Sequence, residues 1–168
     1  MNWKYLSLIF IVGLLVACRN SPSESECKYG TPKAIFSATQ QGIKTHQFVN
    51  PKKDAAVEQV TFDDSLQLTL LQSGCDHVRQ EFQFILPGDF INQKPEFWIE
   101  LSIGLLRRLG SMGPDYAVFS AWAQSIESQK DAINLAENTA LQQGFYVKID
   151  RILADQSATL VLILSDEP

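Results

Sequence analysis

The first half of the chain alternates apolar and polar residues with a period of two. Between residues 33 and 86 the alternation is broken by short runs of turn-forming residues, which is typical of strands joined by hairpins. The pattern predicts strands over residues 34–38, 43–49, 57–62, 66–72 and 78–86. The first two strands form a hairpin around Gln40-Gln41-Gly42, and the next two form one around Asp63-Asp64-Ser65. In the last strand, Phe82, Phe84 and Leu86 share one face.

After Pro87-Gly88-Asp89 the apolar period changes to that of helices. Pro95 suits the first turn of a helix and Gly110 its end, and the stripe between them consists of Phe97, Trp98, Leu101, Leu105 and Leu109. Asp115 is predicted to cap a second helix, which carries Tyr116, Phe119, Trp122 and Ile126. From Ser128, a third helix or a kinked continuation is predicted to run to Gln143, with Gly144 as its stop.

The chain closes with two more predicted strands, over residues 145–154 and 158–164. The second is apolar on both faces, which indicates an interior strand. The order of strands, helices and strands predicts an α+β fold. We expect a mainly antiparallel sheet, made of an N-terminal hairpin and meander plus a C-terminal hairpin, with two or three helices packed on one face.

The first 18 residues have the layout of a secretory signal. One cation, Lys4, precedes an apolar run from Leu6 to Val16, which is too short to cross a bilayer core of about 30 Å. The last four residues, Leu15-Val16-Ala17-Cys18, resemble the lipobox of bacterial lipoproteins. In that class the cysteine carries fatty-acyl chains such as palmitate and becomes the first residue of the mature chain. An ordinary signal peptide with an incidental Cys18 is the alternative.

The resemblance divides the chain into three parts. Residues 1–17 are the signal peptide, residues 18–32 hold the lipidated Cys18 and a flexible tether, and residues 33–168 form a single globular domain. Several acyl chains keep a protein on a membrane. Because Arg19 rather than an aspartate follows Cys18, the resemblance favours the outer membrane, facing the periplasm. The outer face of the cytoplasmic membrane and the cell surface are the alternatives.

The net charge of the chain limits the classes of molecule that it is expected to bind. The chain has 14 Lys and Arg against 19 Asp and Glu, a net charge of −5, and removal of Lys4 with the signal makes the body more acidic. A negative field repels phosphate backbones and anionic surfaces, so nucleic acid is not an expected partner. A basic envelope protein suits it better, and a cationic cell-wall hydrolase such as lysozyme is one candidate.

Two cysteines remain after Cys18. In a compartment that oxidises thiols, Cys27 and Cys75 are predicted to form a disulfide. Closing a loop of this length stabilises a fold by about 4 kcal/mol on the chain-entropy model. A free, reactive Cys75 is the alternative.

The sequence contains no catalytic or metal motif of known spacing. Cys75-Asp76-His77 is the densest reactive cluster, and a metal site would draw on His46, His77, Asp63, Asp64 and Asp76, but two histidines without ligand spacing are weak evidence. Serine-hydrolase and nucleotide motifs are absent. Gly110-Ser111-Met112-Gly113, flanked by Arg107 and Arg108, reads as a helix end rather than an anion-binding turn. Glu96 and Glu100 read as a solvated helix face rather than paired catalytic acids. No catalytic, cofactor-binding or metal residues are assigned.

Three functions remain open. The leading hypothesis is a lipid-anchored envelope protein with a non-enzymatic, protein-binding role, as an assembly factor, accessory subunit or inhibitor. A wall- or lipid-processing hydrolase would use carboxylates or His77, and would need at least three of the five metal-candidate residues in one pocket. A carrier of an apolar ligand would need a cavity lined by Phe82, Phe84, Trp98 and Leu105. The helix aromatics, Trp98, Tyr116, Phe119 and Trp122, form either core or a binding groove.

Overall fold

The computed structural model describes residues 28–141 and 144–168. These residues form an α+β fold, in which two helices pack on one face of a seven-stranded antiparallel sheet. The strands are β1 (Ile43–Lys52), β2 (Ala55–Phe62), β3 (Gln67–Ser73), β4 (Arg79–Pro87), β5 (Asn138–Ala140), β6 (Tyr146–Ala154) and β7 (Ser157–Ser165). The helices are α1 (Pro95–Gly110) and α2 (Ala117–Ser128).

The sheet joins two meanders side by side. Its order is β1-β2-β3-β4-β7-β6-β5, so the N-terminal meander β1–β4 and the C-terminal meander β5–β7 meet where β4 pairs with β7. That pairing runs from Arg79 opposite Ser165 to Pro87 opposite Ser157. Both halves of the chain therefore share one sheet and one core.

The core lies between the helices and one face of the sheet, which we call the inner face. On the inner face, Phe82 and Phe84 of β4 and Leu160 and Leu162 of β7 have no exposed surface. The helices contribute fully or almost fully buried residues, namely Trp98, Ile103, Leu106, Leu109, Phe119 and Ile126. We call the opposite side the open face, because no described helix covers it. On β7, Val161 and Ile163 are buried even there, as expected for an interior strand.

Most of the predicted elements are confirmed. Helix α1 begins at Pro95 and ends at Gly110, as the positions of these two residues predicted. The hairpin around Asp63-Asp64-Ser65 joins β2 to β3, and Ser65 adopts a φ of 71° there. The C-terminal hairpin joins β6 to β7.

The predicted strand over residues 34–38 is wrong. These residues are irregular, and β1 pairs with β2 instead of with them. Two of the backbone N–H groups that a strand would have used, those of Ile35 and Phe36, donate instead to the carboxylate of Glu58. A buried charged acceptor has replaced a neighbouring strand as the partner of this segment.

The predictions for the second and third helices also need correction. Asp115 does not cap α2; it lies in a short 3-10 turn, Pro114–Tyr116, and no side chain caps the start of either element. In place of a third helix, the described residues form a 3-10 turn, Lys130–Ala132, and the short strand β5, which pairs with the edge of β6. No helix in the described part of the chain is long and apolar enough to cross a membrane.

Candidate functional site

Glu58 is the buried charged residue around which the N-terminal region is assembled. It lies on the inner face of β2, in alternation with Val60 and Phe62, and has no exposed surface. Its carboxylate accepts hydrogen bonds from the backbone N–H of Ile35 (2.9 Å) and of Phe36 (2.8 Å). A buried carboxylate is tolerated only when hydrogen bonds replace its lost hydration.

The third partner of Glu58 is a histidine on the neighbouring strand. Nε2 of His46 on β1 lies 2.7 Å from Oε1 of Glu58. Because a carboxylate only accepts hydrogen bonds, Nε2 is the donor in this contact. One carboxylate therefore connects β1, β2 and the chain that precedes the sheet.

The N-terminal segment, residues 28–42, is further fixed by an aromatic side chain. Phe36 is 3% exposed, and its ring stacks on Tyr116 (5.7 Å between centroids) and Phe119 (6.1 Å) and meets Phe62 edge-on. Side-chain amides hold the segment at three more points, where Asn50 donates to the carbonyl of Pro32, Gln72 to that of Lys33, and Gln40 to that of Met112. The segment is therefore part of the folded body.

A cleft of about 620 Å³ lies beside this segment, and we call it the N-terminal cleft. One wall is formed by residues 29–35, and the other by residues 72–74 and 77–80 at the ends of β3 and β4. Gly74 shapes the turn between these strands; its φ is +124°, and a Cβ there would lie 1.7 Å from the carbonyl oxygen of His77. The volume falls within the range of small-molecule sites.

The residues that could have formed a catalytic or metal site are dispersed. Asp63 and Asp64 lie at one end of β3, whereas Asp76 and His77 lie beyond its other end, about 20 Å away for a seven-residue strand. His46 is occupied by Glu58, and Nδ1 of exposed His77 is 3.9 Å from Glu167. In residues 28–141 and 144–168, no group of three or more His, Cys, Asp or Glu side chains could hold a metal ion.

The arginines near the end of α1 are engaged by carboxylates. Arg108 binds both oxygens of Asp64, at 2.6 and 2.8 Å, and this hydrogen bonding lowers the pKa of Asp64 to about 2. Arg107 pairs with Glu127 on α2. Such pairing favours a helix end at residues 110–113 over an anion-binding turn.

The acidic side chain of Glu100 on α1 also has a partner. Its carboxylate lies 2.7 Å from Nζ of Lys130, across an exposed part of the surface. Glu96 lies in the first turn of the helix, where a negative charge complements the helix dipole. Both placements fit a solvated helix face.

Three of the four helix aromatics belong to the core. Trp98, Tyr116 and Phe119 are between 0% and 6% exposed, whereas Trp122 is half-buried and packs edge-on against Phe145 at 4.9 Å. The space between sheet and helices is filled in the same way. Phe82 meets Phe119 edge-on at 5.7 Å, Phe84 and Trp98 have no exposed surface, and Leu105 is 8% exposed.

The open face carries apolar side chains that no described element covers. Val49, Val57 and Leu71 form a cross-strand row on β1, β2 and β3, and Ile85, Thr159 and Ile152 form another on β4, β7 and β6. Val49 is 47% exposed, Ile85 41% and Ile152 64%. A polar row, Gln47, Gln59, Thr69 and Gln83, separates these two rows on the open face.

Of the three cysteines, Cys75 lies in the part of the chain that the structure describes. Cys75 lies in the turn between β3 and β4 and is a disulfide cysteine. Cys18 and Cys27 lie outside the described residues, together with the signal peptide and most of the tether. Lipidation of Cys18 and the pairing of Cys27 with Cys75 therefore stay predictions.

Sequence reasoning missed Glu58, although the sequence contained a signal for it. Residues 58, 60 and 62 have the same parity, so a strand that buries Val60 and Phe62 must also bury Glu58. A lone carboxylate on an apolar strand face predicts a hydrogen-bonding partner inside the fold. His46, two residues before Phe48, has the parity that places it on the same face.

Comparisons of the chain with protein-family models, with curated proteins and with solved structures found no match. A functional conclusion must therefore rest on the residues and surfaces of this molecule.

Proposed function

We propose that this chain is a lipid-anchored cell-envelope protein that binds another protein through its open face and catalyses no reaction itself. The observation that supports this proposal is the absence of a covering layer over the open face among the described residues, with exposed Val49, Ile85 and Ile152 on it. At strand spacings of about 4.8 Å, such a face measures on the order of 700 Å². A standard protein interface covers about 800 Å² per partner.

The open face mixes apolar and polar side chains. Val161 and Ile163 are buried on β7, and their cross-strand neighbours are polar or charged, with Gln83 and Asp150 beside Val161 and Glu81 and Lys148 beside Ile163. Such a mixture is compatible with a non-obligate interface, which as a whole is about as apolar as the rest of a protein surface. The net charge of −5 favours a basic partner, because opposite fields speed encounter.

The two other hypotheses receive less support. A hydrolase needs its acid, base or nucleophile within hydrogen-bonding reach of each other. The candidate groups lie at opposite ends of β3, and two of them, His46 and Asp64, are bound to Glu58 and Arg108. A carrier needs a cavity where Phe82 and Trp98 instead pack without exposed surface. Protein binding requires neither feature.

Photo-cross-linking in intact cells tests the proposed interface. A cross-linking amino acid at position 152 on the open face is expected to trap a discrete partner that mass spectrometry identifies. The same amino acid at position 118 is the matched control, because Val118 is 53% exposed but lies on α2. The identified partner must then lose binding to Ile152→Glu and keep binding to Val118→Glu. Equal trapping at both positions, or equal binding by both variants, contradicts the proposal.

The lipid anchor is tested separately. Fatty-acid labelling is expected to mark the wild-type chain on Cys18, and Cys18→Ser is expected to remain unlabelled and to leave the membrane fraction. An unlabelled wild-type chain would remove the envelope part of the proposal, whereas the cross-linking result would still decide on protein binding.

A further inference from the structure

A groove of about 320 Å³ lies on the open face over β1, β2 and β3, and we call it the amide groove. Six open-face side chains line it, namely Gln47, Gln59, Gln67, Thr45, Thr61 and Thr69. The strand register places them in two adjacent cross-strand rows, which are Thr45-Thr61-Gln67 and Gln47-Gln59-Thr69. Residues directly opposite each other in such rows have Cβ atoms about 5 Å apart, so three amides and three hydroxyls converge on one small area.

The side chains of the amide groove have no partners within the described protein. In the part of the chain that the structure describes, no hydrogen bond or ion pair engages any of the six. Other amides of the chain are engaged, since those of Asn50 and Gln72 donate to backbone carbonyls and that of Gln83 donates to Glu81. The groove therefore presents donors and acceptors that solvent or a ligand must satisfy.

The amide groove is also uncharged, in a chain of which 20% of the residues are charged. None of its lining residues is Asp, Glu, Lys or Arg, and the ring of its histidine, His46, binds Glu58 on the inner face. A charged ligand would lose hydration there without meeting an opposite charge, whereas an apolar ligand would leave the amides and hydroxyls without partners. The groove therefore favours an uncharged ligand that is rich in hydrogen-bonding groups.

Two classes of neutral ligand carry such groups, glycans and uncharged peptides. Extended peptides are commonly recognised through a free sheet edge or an aromatic-lined groove. The amide groove lies on the face of the sheet, to which side chains rather than backbone groups point, and its lining contains no Phe, Tyr or Trp. These features favour a glycan over a peptide.

The groups of the amide groove also match those of an N-acetylated sugar. A sugar hydroxyl both donates and accepts, as a threonine hydroxyl does, and an acetamido group pairs with a primary amide in both directions. The next row on the same three strands is apolar and consists of Val49, Val57 and Leu71. It supplies surface for the acetamido methyl group and for the C–H groups of a sugar ring.

We propose that the amide groove binds a short segment of an uncharged glycan that carries N-acetyl groups. Gln59 and Thr61 on the central strand hydrogen-bond its hydroxyl and acetamido groups, and the amides and hydroxyls of β1 and β3 hold it from both sides. This site goes beyond the proposed function and does not depend on it. Position 152, which tests the protein interface, lies on β6, four strand spacings or about 19 Å from β2.

Ligand-observed NMR titration of the full-length chain tests the site, with N,N′,N″-triacetylchitotriose as the probe. The detergent is a polyoxyethylene, because a sugar-based detergent would compete with the probe. We expect saturable binding whose affinity changes less than about two-fold between low and high salt, since no ion pair contributes. The uncharged peptide acetyl-Gln-Thr-Gln-amide is the matched competitor, and we expect it not to displace the probe.

Single variants locate the binding on β2. Gln59→Ala and Thr61→Val each remove hydrogen-bonding groups and are expected to weaken binding about five-fold, the usual effect of one neutral hydrogen bond. The matched controls are Thr159→Val, at a half-buried threonine on β7 of the same face, and Gln124→Ala, at an exposed glutamine on α2. Both controls, and Ile152→Glu, are expected to change glycan binding less than about two-fold. Thermal unfolding verifies that each variant is folded.

Three results would overturn this inference. Absence of saturable binding excludes a site for an N-acetylated glycan. Equal weakening by Thr61→Val and Thr159→Val removes the effect from the groove. Displacement of the trisaccharide by acetyl-Gln-Thr-Gln-amide assigns the groove to an uncharged peptide instead. In each case the cross-linking result at position 152 still decides on the protein interface.

Discussion

Nε2 of His46 lies 2.7 Å from Oε1 of Glu58, in a contact where the Glu58 side chain has no exposed surface and that of His46 is 12% exposed. The same carboxylate also receives the backbone N–H groups of Ile35 and Phe36. The side chain of Glu58 thus binds the N-terminal segment to the sheet, in addition to the amides of Asn50 and Gln72. Removal of that side chain leaves two backbone donors and an imidazole without their acceptor.

Replacement of Glu58 is expected to destabilise the fold strongly. Glu58→Ala should lower the free energy of unfolding by about 3–5 kcal/mol, the usual cost of breaking a buried charged contact. Glu58→Gln should cost less, since one carbonyl oxygen still accepts. Urea unfolding measures both, and Glu127→Gln, at an exposed ion pair, is a control expected within about 0.5 kcal/mol of wild type. A urea midpoint for Glu58→Ala equal to that of the wild type would contradict the structural role of Glu58.

Phe36 should contribute as much to the stability of the fold as a core residue of a helix or strand, although it lies outside these elements. Phe36→Ala removes a ring that packs on Tyr116, Phe119 and Phe62, and should cost about 3–5 kcal/mol. Hydrogen exchange should show lost protection at residues 35 and 36 before any change in β7. The exposed Val118→Ala serves as the control. Unchanged protection at residues 35 and 36 would mean that the ring does not hold the segment.

The contact between Asp64 and Arg108 predicts a dependence on pH. The pKa of Asp64 is lowered from 3.8 to about 2, chiefly by hydrogen bonding to Arg108, so the ionised carboxylate favours the folded state. Its contribution is full above pH 3.8 and is lost as the pH falls toward 2. Because the pair is exposed and screened by solvent, we expect less than about 1 kcal/mol.

Carboxyl NMR titration measures the pKa of Asp64 directly. A double-mutant cycle of Asp64→Asn and Arg108→Gln measures the coupling energy, which should be present at pH 6 and should decrease as the pH falls toward 2. High salt should reduce it. An Asp64 that titrates near its ordinary pKa would contradict the contact.

Two glycines of α1 are expected to respond to alanine in opposite directions. A Cβ at Gly110 would lie 2.0 Å from Oγ and 2.7 Å from the backbone nitrogen of Ser120, so Gly110→Ala should force α1 and α2 apart and cost about 2–3 kcal/mol. A Cβ at Gly104 meets nothing within 4 Å, so Gly104→Ala should stabilise the helix by about 0.5–1 kcal/mol. Thermal unfolding of the two variants compares them, and changes of the same sign would contradict the close approach.

The disulfide prediction rests on Cys27 and Cys75. Tyr29, two residues after Cys27, donates its backbone N–H to the carbonyl of Cys75 at 3.1 Å, which brings the start of the described chain to this turn. Peptide mapping of the unreduced protein should recover the two cysteines in one cross-linked fragment. Replacement of both by serine should cost about 4 kcal/mol on the chain-entropy model. Thiol labelling of both positions without reduction would refute the bridge.

Local patterns predicted the regular elements well. The alternation over residues 57–62 and 66–72, the position of Pro95 and the position of Gly110 each depend on neighbours within a few residues, and β2, β3 and α1 appear where they indicated. The apolar character of residues 158–164 on both faces likewise predicted an interior strand. These features are encoded by sequence periodicity, so no tertiary contact is needed to infer them.

The candidate site was much less predictable. The sequence drew attention to His46, Asp63, Asp64, Asp76 and His77 for their chemistry, but the fold separates them along β3 and uses His46 and Asp64 in structural contacts. The N-terminal cleft combines residues about forty positions apart along the chain. No local spacing predicts such a combination.

The sequence by itself determined the class of fold, the main strands and helices, and the acidic balance of the chain, because periodicity, turn residues and charge are properties of near neighbours. Only the tertiary structure decided that residues 34–38 are not a strand, that β5 replaces a third helix, and that Phe36 belongs to the core. The physical reason is that a buried group must find its partner wherever the fold provides one. Glu58 draws in the backbone of Ile35 and Phe36 across more than twenty residues of sequence.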